Sequence, residues 1–308
     1  MLATVFSDPL FLEHDTGPHP ECAARVESVE SALATDLELV ARLRRQQPSP
    51  ASDESILMCH SEAHLRRVLD SSGQSGCFDA DTMYSPRSAD VARLAAGAAV
   101  AAVEATLSTE VPSFALVRPP GHHACPNRVM GFCLFNNAAI AARSAQQSGM
   151  EKVLIVDYDV HHGNGTQDIF YDDGSVFYYS LHLHPHYPGT GMAEERGRGE
   201  GEGATLNRPL PMGYSADRYR SLYCRDLDEI VANFRPNFAI LSAGFDSHRR
   251  DPLGGLSLEN QDFWHLTKAL VDRFPPGRVI STLEGGYNLD VLGESVRYHL
   301  RALSGLGV

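Results

Sequence analysis

The sequence lacks an excess of positive charge and has no long apolar run. Its 308 residues carry 26 Lys and Arg against 39 Asp and Glu, a formal net charge of −13 at pH 7. Proteins that bind nucleic acid or anionic membranes non-specifically need a basic surface. No stretch approaches the roughly 18–20 apolar residues of a membrane span, and no signal peptide opens the chain. We therefore expect neither nucleic acid nor membrane as a direct partner.

Cysteine pairs with metal-binding or redox spacing are also absent. The six cysteines do not form a CxxC pattern, so the sequence indicates neither a zinc finger nor a disulfide framework. Together with the missing signal peptide, this predicts a reduced, cytoplasmic protein. The cysteines are Cys22, Cys59, Cys77, Cys125, Cys133 and Cys224.

What is present is an ordinary globular composition, with 43% apolar and 21% charged residues. Strand and helix patterns alternate along the chain, without a repeat period or a break in composition. This alternation predicts a single α/β domain over residues 1–308, built on one doubly wound, mostly parallel sheet flanked by helices. Strands are predicted at Leu2–Ser7, Phe114–Val117, 153–156, Ser175–Leu183, Phe238–Ser242 and Arg278–Leu283. Surface connections are predicted at Arg44–Asp53, Ser71–Asp81 and 188–203.

The most informative stretch is residues 152–165, where an aliphatic run leads directly into acids and histidines. Strand side chains alternate, so Asp157, Asp159 and His161 project to one side if the extended geometry persists. Buried carboxylates need cations or hydrogen-bond donors. The stretch therefore predicts half of a metal site, the alternative being that the acids merely cap a strand end.

Other reactive residues also follow the ends of predicted parallel strands. These residues are the pair His122 and His123, then Asp246, then Tyr287. In open α/β folds the carboxyl edge of the sheet is where ligands bind. Two carboxylates and one imidazole meeting there form a catalytic metal set with an open position for water.

Six ordered motifs resemble the signature set of the zinc-dependent histone deacetylase family, in particular its class II branch and bacterial relatives. The resemblance covers nearly the whole chain and implies the arginase/deacetylase fold. The motifs are Pro119-Pro120-Gly121-His122-His123-Ala124, Gly131-Phe132-Cys133, 157–166, Pro188-Gly189-Thr190-Gly191, Gly244-Phe245-Asp246 and Glu284-Gly285-Gly286-Tyr287.

The resemblance implies a role for each reactive side chain. One catalytic Zn²⁺ is held by Asp159, His161 and Asp246. His122 and His123 form an acid/base pair, and Tyr287 donates its hydroxyl to the developing oxyanion. Asp157 accepts from His122, whereas His123 is partnered by Asn164, where class I enzymes carry a second Asp. A neutral partner should leave His123 less basic.

The resemblance also implies how substrate is held. Phe132 and Tyr187 form the channel walls, Gly131 offers a backbone acceptor, and Gly285 with Gly286 lets the loop bring in Tyr287. Tyr187 departs from the more usual Phe. A structural K⁺ is implied as well, near Asp157, Asp159, His161, Ser180 and Leu181.

Several functions remain open at this point. The favoured one is a zinc amidohydrolase that removes acetyl or other acyl groups from lysine side chains of proteins or peptides. Acetylated polyamines are the alternative substrate. Relatives that prefer polyamines carry a glutamate seven residues after the last zinc-ligand Asp, and this chain has Leu253 there. A binuclear manganese ureohydrolase and a catalytically silent acyl-lysine reader are less favoured. The sequence leaves the oligomeric state open.

The remaining histidines and cysteines have plainer interpretations. His162 is expected to be structural, and His182, His184 and His186 to lie at the channel rim or in solvent rather than form a second metal site. Buried spectator thiols are favoured over a redox switch at Cys125 and Cys133.

Overall fold

The computed structural model describes residues 2–308 and is organised around an eight-stranded parallel sheet. The sheet order is β2-β1-β5-β10-β9-β6-β7-β8, and β3 and β4 form a separate small hairpin. The strands are β1 (Ala3–Phe6), β2 (Leu43–Gln46), β3 (Gly76–Cys77), β4 (Met83–Tyr84), β5 (Ser113–Ala115), β6 (Val153–Asp157), β7 (Val176–Leu183), β8 (Thr205–Leu210), β9 (Phe238–Ala243) and β10 (Val279–Leu283).

Helices cover both faces of this sheet, which is the predicted doubly wound arrangement. They are α1 (Ala24–Thr35), α2 (Leu37–Val40), α3 (Asp53–Leu57), α4 (Glu62–Leu69), α5 (Ser88–Thr109), α6 (Asn137–Gln147), α7 (Asn164–Phe170), α8 (Ala216–Phe234), α9 (Asn260–Val271) and α10 (Leu289–Leu303), with 3-10 turns at Pro9–Glu13 and Gly199–Gly201. Ser61 caps α4, because its side chain accepts from the backbone N–H of His64.

Two apolar cores lie on opposite faces of the sheet. Leu154 and Val156 of β6 pack in one core with α1, α8, α9 and α10, whereas Val153 and Ile155 pack in the other with α5 and α6. Alternating side chains of a strand point to opposite faces, so a strand buried on both sides reads as a continuous aliphatic run. This is why β6 could be predicted from sequence.

The helix α5 is long and apolar enough to cross a membrane by length and composition alone. The sequence of α5 does not read as a membrane span, because its hydropathy comes from many alanines rather than from large side chains. Most of the helix is buried, and it packs against α6, β1 and β5. This is how the core helix of a globular domain is arranged.

The predicted surface connections were partly wrong. Residues 44–53 overlap β2, and the segment of β8 received no prediction; these are the two edge strands of the sheet. Edge strands face solvent on one side, and both segments carry polar or charged residues such as Arg45 and Arg208, so neither shows a buried-strand pattern. The Ser71–Asp81 segment also contains β3.

Candidate active site and metal centre

The loops that follow four neighbouring strands meet at one edge of the sheet. These strands are β5, β10, β9 and β6, which lie side by side in that order. Their loops carry His122 and His123, Tyr287, Asp246, and the pair Asp159 and His161. Parallel strands end at the same edge, so residues far apart in sequence converge there.

Asp159, His161 and Asp246 form a buried cluster whose ligand atoms all lie within 4.8 Å of one another. His161 Nδ1 is 3.0 Å from Asp159 Oδ1 and 3.1 Å from Asp246 Oδ2. The second oxygen of each carboxylate accepts from a backbone amide, Gly285 N–H at 2.8 Å for Asp159 and Val160 N–H at 2.8 Å for Asp246. The backbone thus holds both carboxylates with one oxygen facing the imidazole.

The electrostatics of this cluster favour a bound cation. Burial, reinforced by the Asp159 carboxylate, raises the pKa of Asp246 to about 7. Among the described residues, the donors to the two carboxylates are backbone amides and imidazoles rather than a guanidinium or an ammonium. Two buried like charges are stabilised by a metal ion, and two carboxylates with one imidazole are a ligand set that suits Zn²⁺ and leaves a position open.

The two histidines before this cluster have different partners. His122 Nδ1 lies 3.0 Å from Asp157 Oδ2, which also accepts from the hydroxyl of Tyr178 at 3.1 Å. His123 Nδ1 lies 2.8 Å from Asn164 Oδ1, and the two imidazole rings are 4.0 Å apart. These contacts are the pairings expected from the sequence motifs.

Burial and the neighbouring charged groups separate the two pKa values. Burial lowers the pKa of His122, but the carboxylates of Asp159 and Asp157 outweigh it and raise the pKa to about 10. Burial, together with the neighbouring imidazoles of His122 and His161, holds the pKa of His123 well below its usual range. The pair therefore holds one charged and one neutral imidazole, in line with the expectation that His123 is the less basic.

Tyr287 is placed by the loop after β10. Its backbone N–H donates to Asp251 Oδ2 at 2.6 Å, and its ring meets the edge of Phe132 at a centroid distance of 5.8 Å. A Cβ on Gly285 would lie 2.1 Å from Asp246 Oδ2, so only glycine lets this loop pass the carboxylate cluster.

A buried ion-pair network lies behind the Tyr287 loop and was not predicted. Arg25 donates to the carbonyls of Gly286, at 2.7 Å, and Glu284, and its guanidinium stands 5.0 Å from the centroid of the Tyr287 ring. Glu21 accepts from both Arg25, at 3.2 Å, and Arg118, at 2.6 and 2.8 Å. The only signal in the sequence was a lone arginine between apolar residues of α1, and the partners of its guanidinium lie up to 261 residues away.

Glu284 stands in the last of the six sequence motifs, which did not imply a role for it. Its Oε2 accepts from the backbone N–H groups of Gly121, at 2.6 Å, and His122, at 3.1 Å, while Oε1 accepts from the hydroxyl of Ser242 at 2.7 Å. Burial raises its pKa to about 7. The carboxylate thus ties the β10 loop to the backbone that carries His122.

A cavity of about 280 Å³ opens above the cluster of Asp159, His161 and Asp246. Gly131, Phe132, Tyr187 and Leu253 line it as predicted, whereas Gly285 lies beneath it against Asp159. The cavity is also lined by residues that were not predicted to contact substrate, namely Asp81, His186, Pro252 and Gly254.

The histidine run that begins in the last residues of β7 divides in a way that corrects the sequence interpretation. His182 is fully buried, with Nδ1 2.9 Å from Ser180 Oγ and Nε2 3.0 Å from the Gly191 carbonyl, so it is not a rim residue. His186 does lie at the cavity, where its ring stacks on His161 at 4.9 Å. His162 is buried and bonded to Thr190 and Gln167, as expected for a structural residue.

The residues predicted to hold K⁺ lie on the adjacent strands β6 and β7 and the loop that follows β6. Ser180 pairs with Asp157 across the two strands, and both are fully buried. The Leu181 carbonyl lies 3.5 Å from the Tyr219 hydroxyl. The potassium site stays a prediction.

Cys125 and Cys133 are both buried. Burial raises the pKa of the Cys125 thiol to about 11 and places that of Cys133 well above its usual value. Thiolates rather than thiols are reactive, so these protonated groups support the interpretation as spectators in redox chemistry.

Comparisons with known proteins agree with this geometry. The family model for the histone deacetylase domain matches residues 19–303. Histone deacetylase 14, chloroplastic, from Arabidopsis thaliana is 38% identical over 98% of this chain and 76% of its own length. A probable deacetylase from Archaeoglobus fulgidus is 38% identical over 91% of this chain and 80% of its own.

The fold has a close match among solved structures. The crystal structure of the HDA15 HD domain superposes with a TM-score of 0.93 at 39% identity, covering 99% of this chain and 89% of that one. The eight-stranded sheet and the helices on its two faces are thus those of this fold. The chain belongs to the histone deacetylase family.

Proposed function

We propose that this protein is a zinc-dependent hydrolase that removes acetyl or other acyl groups from lysine side chains of peptides or proteins. The observation that carries the proposal is the buried cluster of Asp159, His161 and Asp246 at the base of a cavity whose wall includes His123 and Tyr287. We further propose that residues 1–308 act as a single catalytic domain and that the protein works in the cytoplasm.

In this proposal Asp159, His161 and Asp246 hold one Zn²⁺. When bound, the ion supplies Lewis acidity that polarises the amide carbonyl and lowers the pKa of water. The described residues contain a single group of three such side chains, which supports one ion rather than the two bridged ions of a manganese ureohydrolase. The occupied acid/base positions argue against a catalytically silent reader.

The histidine pair moves the protons of the hydrolysis. His123 lines the cavity as a neutral imidazole and can accept a proton from water as the water oxygen attacks the acyl carbon. His122 lies behind it and holds positive charge against Asp157. When the carbon–nitrogen bond breaks, the pair returns this proton to the amine nitrogen. The carboxylic acid that forms gives the second water proton to the amine, so the products are an ammonium and a carboxylate.

Tyr287 supplies the oxyanion donor. Its ring is clamped between Phe132 and Arg25, and its backbone is fixed by Asp251. A hydroxyl held in advance at the reacting carbonyl stabilises negative charge as it develops in the transition state. We also propose the structural K⁺ at Asp157, Asp159, His161, Ser180 and Leu181, which a rise in thermal stability on exchanging Na⁺ for K⁺ would test.

The mouth of the cavity favours acyl-lysine over acetylpolyamine substrates. Leu253 lines it, held by the bond from His186 to its carbonyl at 2.9 Å, and an apolar wall cannot offset the desolvation of a secondary ammonium. One observation favours the second candidate, acetylpolyamine hydrolysis. Asp81 also lines the cavity, and burial raises its pKa, so the carboxylate gains from a cationic neighbour.

A substrate panel tests the proposal directly. Zinc-loaded protein is assayed on acyl-lysine peptides of increasing acyl length beside N-acetylspermidine, with metal content measured by elemental analysis. We expect about one Zn²⁺ per chain, loss of activity with chelators, recovery with Zn²⁺ or Co²⁺, and higher kcat/KM on peptides. Two Mn²⁺ per chain would favour the ureohydrolase, and a preference for N-acetylspermidine would favour the polyamine reaction.

A further inference from the structure

The side-chain amide of Asn164 lies between an imidazole and two sulfur atoms. Its Oδ1 is 2.8 Å from His123 Nδ1 on one side. On the other side its Nδ2 is 3.2 Å from Cys125 Sγ and 3.5 Å from Met130 Sδ. Asn164 is only 4% exposed, so water does not replace these partners freely. Each end of the amide therefore has its own partner.

The orientation of this amide decides which nitrogen of His123 carries the proton. With Oδ1 toward the ring, Nδ1 must donate, and Nε2 keeps a free lone pair. With the amide rotated by half a turn, the NH₂ group would donate to Nδ1, and the proton would move to Nε2. Asp157, the partner of His122, has two equivalent oxygens and poses no such choice. The need for orientation is specific to the half of the pair that has a neutral partner.

The two sulfur atoms distinguish the ends of the amide. A thioether accepts hydrogen bonds but cannot donate, so Met130 accepts from Nδ2 and would oppose an oxygen at that place. The Cys125 thiol can donate to the His123 carbonyl, at 3.5 Å, or to Met130 Sδ, at 4.0 Å, and either bond leaves a sulfur lone pair for Nδ2. Arg128 also donates to this sulfur, at 3.7 Å. Both sulfurs thus favour the orientation in which Oδ1 faces His123.

We propose that Cys125 and Met130 are positioning residues that set the amide orientation of Asn164 and, through it, the Nδ1–H tautomer of His123. The inference rests on the proposed function, because His123 is there the proton acceptor. It gives Cys125 a role as a hydrogen-bond acceptor, which involves no redox change.

The test combines kinetics with a direct reading of the tautomer in the zinc-loaded, full-length protein. Cys125→Val and Met130→Leu remove one acceptor each at nearly constant volume. Each should lower kcat about two- to fivefold and both together about tenfold, the range for lost neutral hydrogen bonds, with KM and zinc content unchanged. In the ¹⁵N NMR spectrum, His123 should show Nδ1–H in the parent protein and a growing Nε2–H population in the variants. The His123 signals are assigned by their loss in His123→Ala.

Conservative and remote variants separate positioning from packing. Cys125→Ser keeps an acceptor and should restore both kcat and tautomer. Cys224→Val with Met150→Leu removes a thiol and a thioether elsewhere and should change neither. Circular dichroism checks folding, and if the double variant does not fold, the single variants carry the same comparison.

Two results would overturn the proposal. An unchanged His123 tautomer in the Cys125→Val/Met130→Leu protein overturns the proposal, even if kcat falls. A Cys125→Ser protein that behaves like Cys125→Val overturns it as well. The tautomer is read without turnover, so a protein that does not hydrolyse acyl-lysine but shows the expected tautomer shift would refute the proposed function alone.

Discussion

The floor and the mouth of the cavity are built in opposite ways. The floor is Asp159, His161 and Asp246, which are 0%, 8% and 0% exposed and follow adjacent strands of the sheet. The mouth is Asp81, Tyr187 and Leu253, which lie on loops and are half-buried or exposed, with Tyr187 at 38%. A rigid floor suits chemistry that every substrate shares, whereas loops can vary to suit different substrates.

The hydrogen bonding shows the same contrast. Each floor carboxylate accepts from a backbone amide as well as from His161. At the mouth, Asp251 and His186 form hydrogen bonds with the backbone of Leu253. The Leu253 side chain is left free to contact a substrate in the cavity. Changes at the floor should therefore alter rate and metal content, and changes at the mouth should alter selectivity.

The largest effect is expected from removing a floor carboxylate. Asp246→Ala should lose most of its zinc, because two ligands remain where three are needed. Disturbing the groups behind metal ligands already costs about 10–100-fold, so activity should fall by more than that. Metal analysis and kcat/KM on an acetyl-lysine peptide check this, with the exposed Asp272→Ala as control. Full zinc content in Asp246→Ala would contradict the ligand assignment.

The second-largest effect is expected in the ion-pair network of Glu21, Arg25 and Arg118, which lies behind the Tyr287 loop. Glu21→Gln leaves the buried guanidinium groups of Arg25 and Arg118 without their carboxylate, and the free energy of unfolding should fall by about 3–5 kcal/mol. Urea unfolding measures this. Glu62→Gln, which breaks the exposed pair with Arg66, should stay within about 1 kcal/mol of the parent protein.

The same network predicts a pH dependence. Burial raises the pKa of Glu21, but Arg118 and other nearby cations outweigh it and hold the pKa at about 2, below the unfolded value of 4.5. A carboxyl group whose pKa is lower in the folded than in the unfolded protein stabilises the fold. This stabilisation is complete above the unfolded pKa and is lost as the pH falls towards the folded pKa. Between pH 4.5 and 2 the parent protein should lose about 3 kcal/mol that Glu21→Gln does not lose. Parallel pH profiles of the two proteins would contradict this.

A change at Tyr287, next to the floor, should alter the rate of the reaction without altering the metal content. Tyr287→Phe keeps the ring packing against Phe132 but removes the hydroxyl, and kcat should fall by about 10²–10³ with zinc content unchanged. Tyr298→Phe on α10 is the control. A kcat near that of the parent protein would show that the Tyr287 hydroxyl does not reach the reacting carbonyl.

The smallest effect is expected at the mouth and should appear in selectivity. Leu253→Glu places a carboxylate on the cavity wall and should shift the preference toward N-acetylspermidine by about 1–3 kcal/mol in relative kcat/KM, the range for charged hydrogen bonds. Leu253→Gln has the same size without the charge and should shift it far less. Equal shifts in both variants would show that size rather than charge matters at this position.

Prediction from sequence was strongest for elements buried on both faces. The aliphatic run of β6 is continuous because both of its faces are covered, and β9 and β10 follow the same rule. The edge strand β8 was missed because its alternating pattern is interrupted by Arg208 and Pro209 and its ladder has a neighbour on one side only. Its identity as a strand depends on β7 lying beside it.

The candidate site likewise has a part that the sequence predicts and a part that it does not. The sequence by itself determined which side chains follow strand ends, and hence that Asp159, His161, Asp246, Tyr287 and the histidine pair meet at one edge of a parallel sheet. That conclusion needs only the alternation of strands and helices and the direction in which parallel strands run.

Only the tertiary structure decided what supports those side chains. The hydrogen bonds from Arg118 to Glu21, from Arg25 to the Gly286 carbonyl and from the His122 backbone N–H to Glu284 join segments 97 to 261 residues apart. The sulfur atoms beside Asn164 belong with them, since Cys125 and Met130 lie on the loop before α6 and Asn164 is the first residue of α7. No local pattern marks such contacts, because a buried polar group is satisfied by whichever partner the packing of the chain brings within reach.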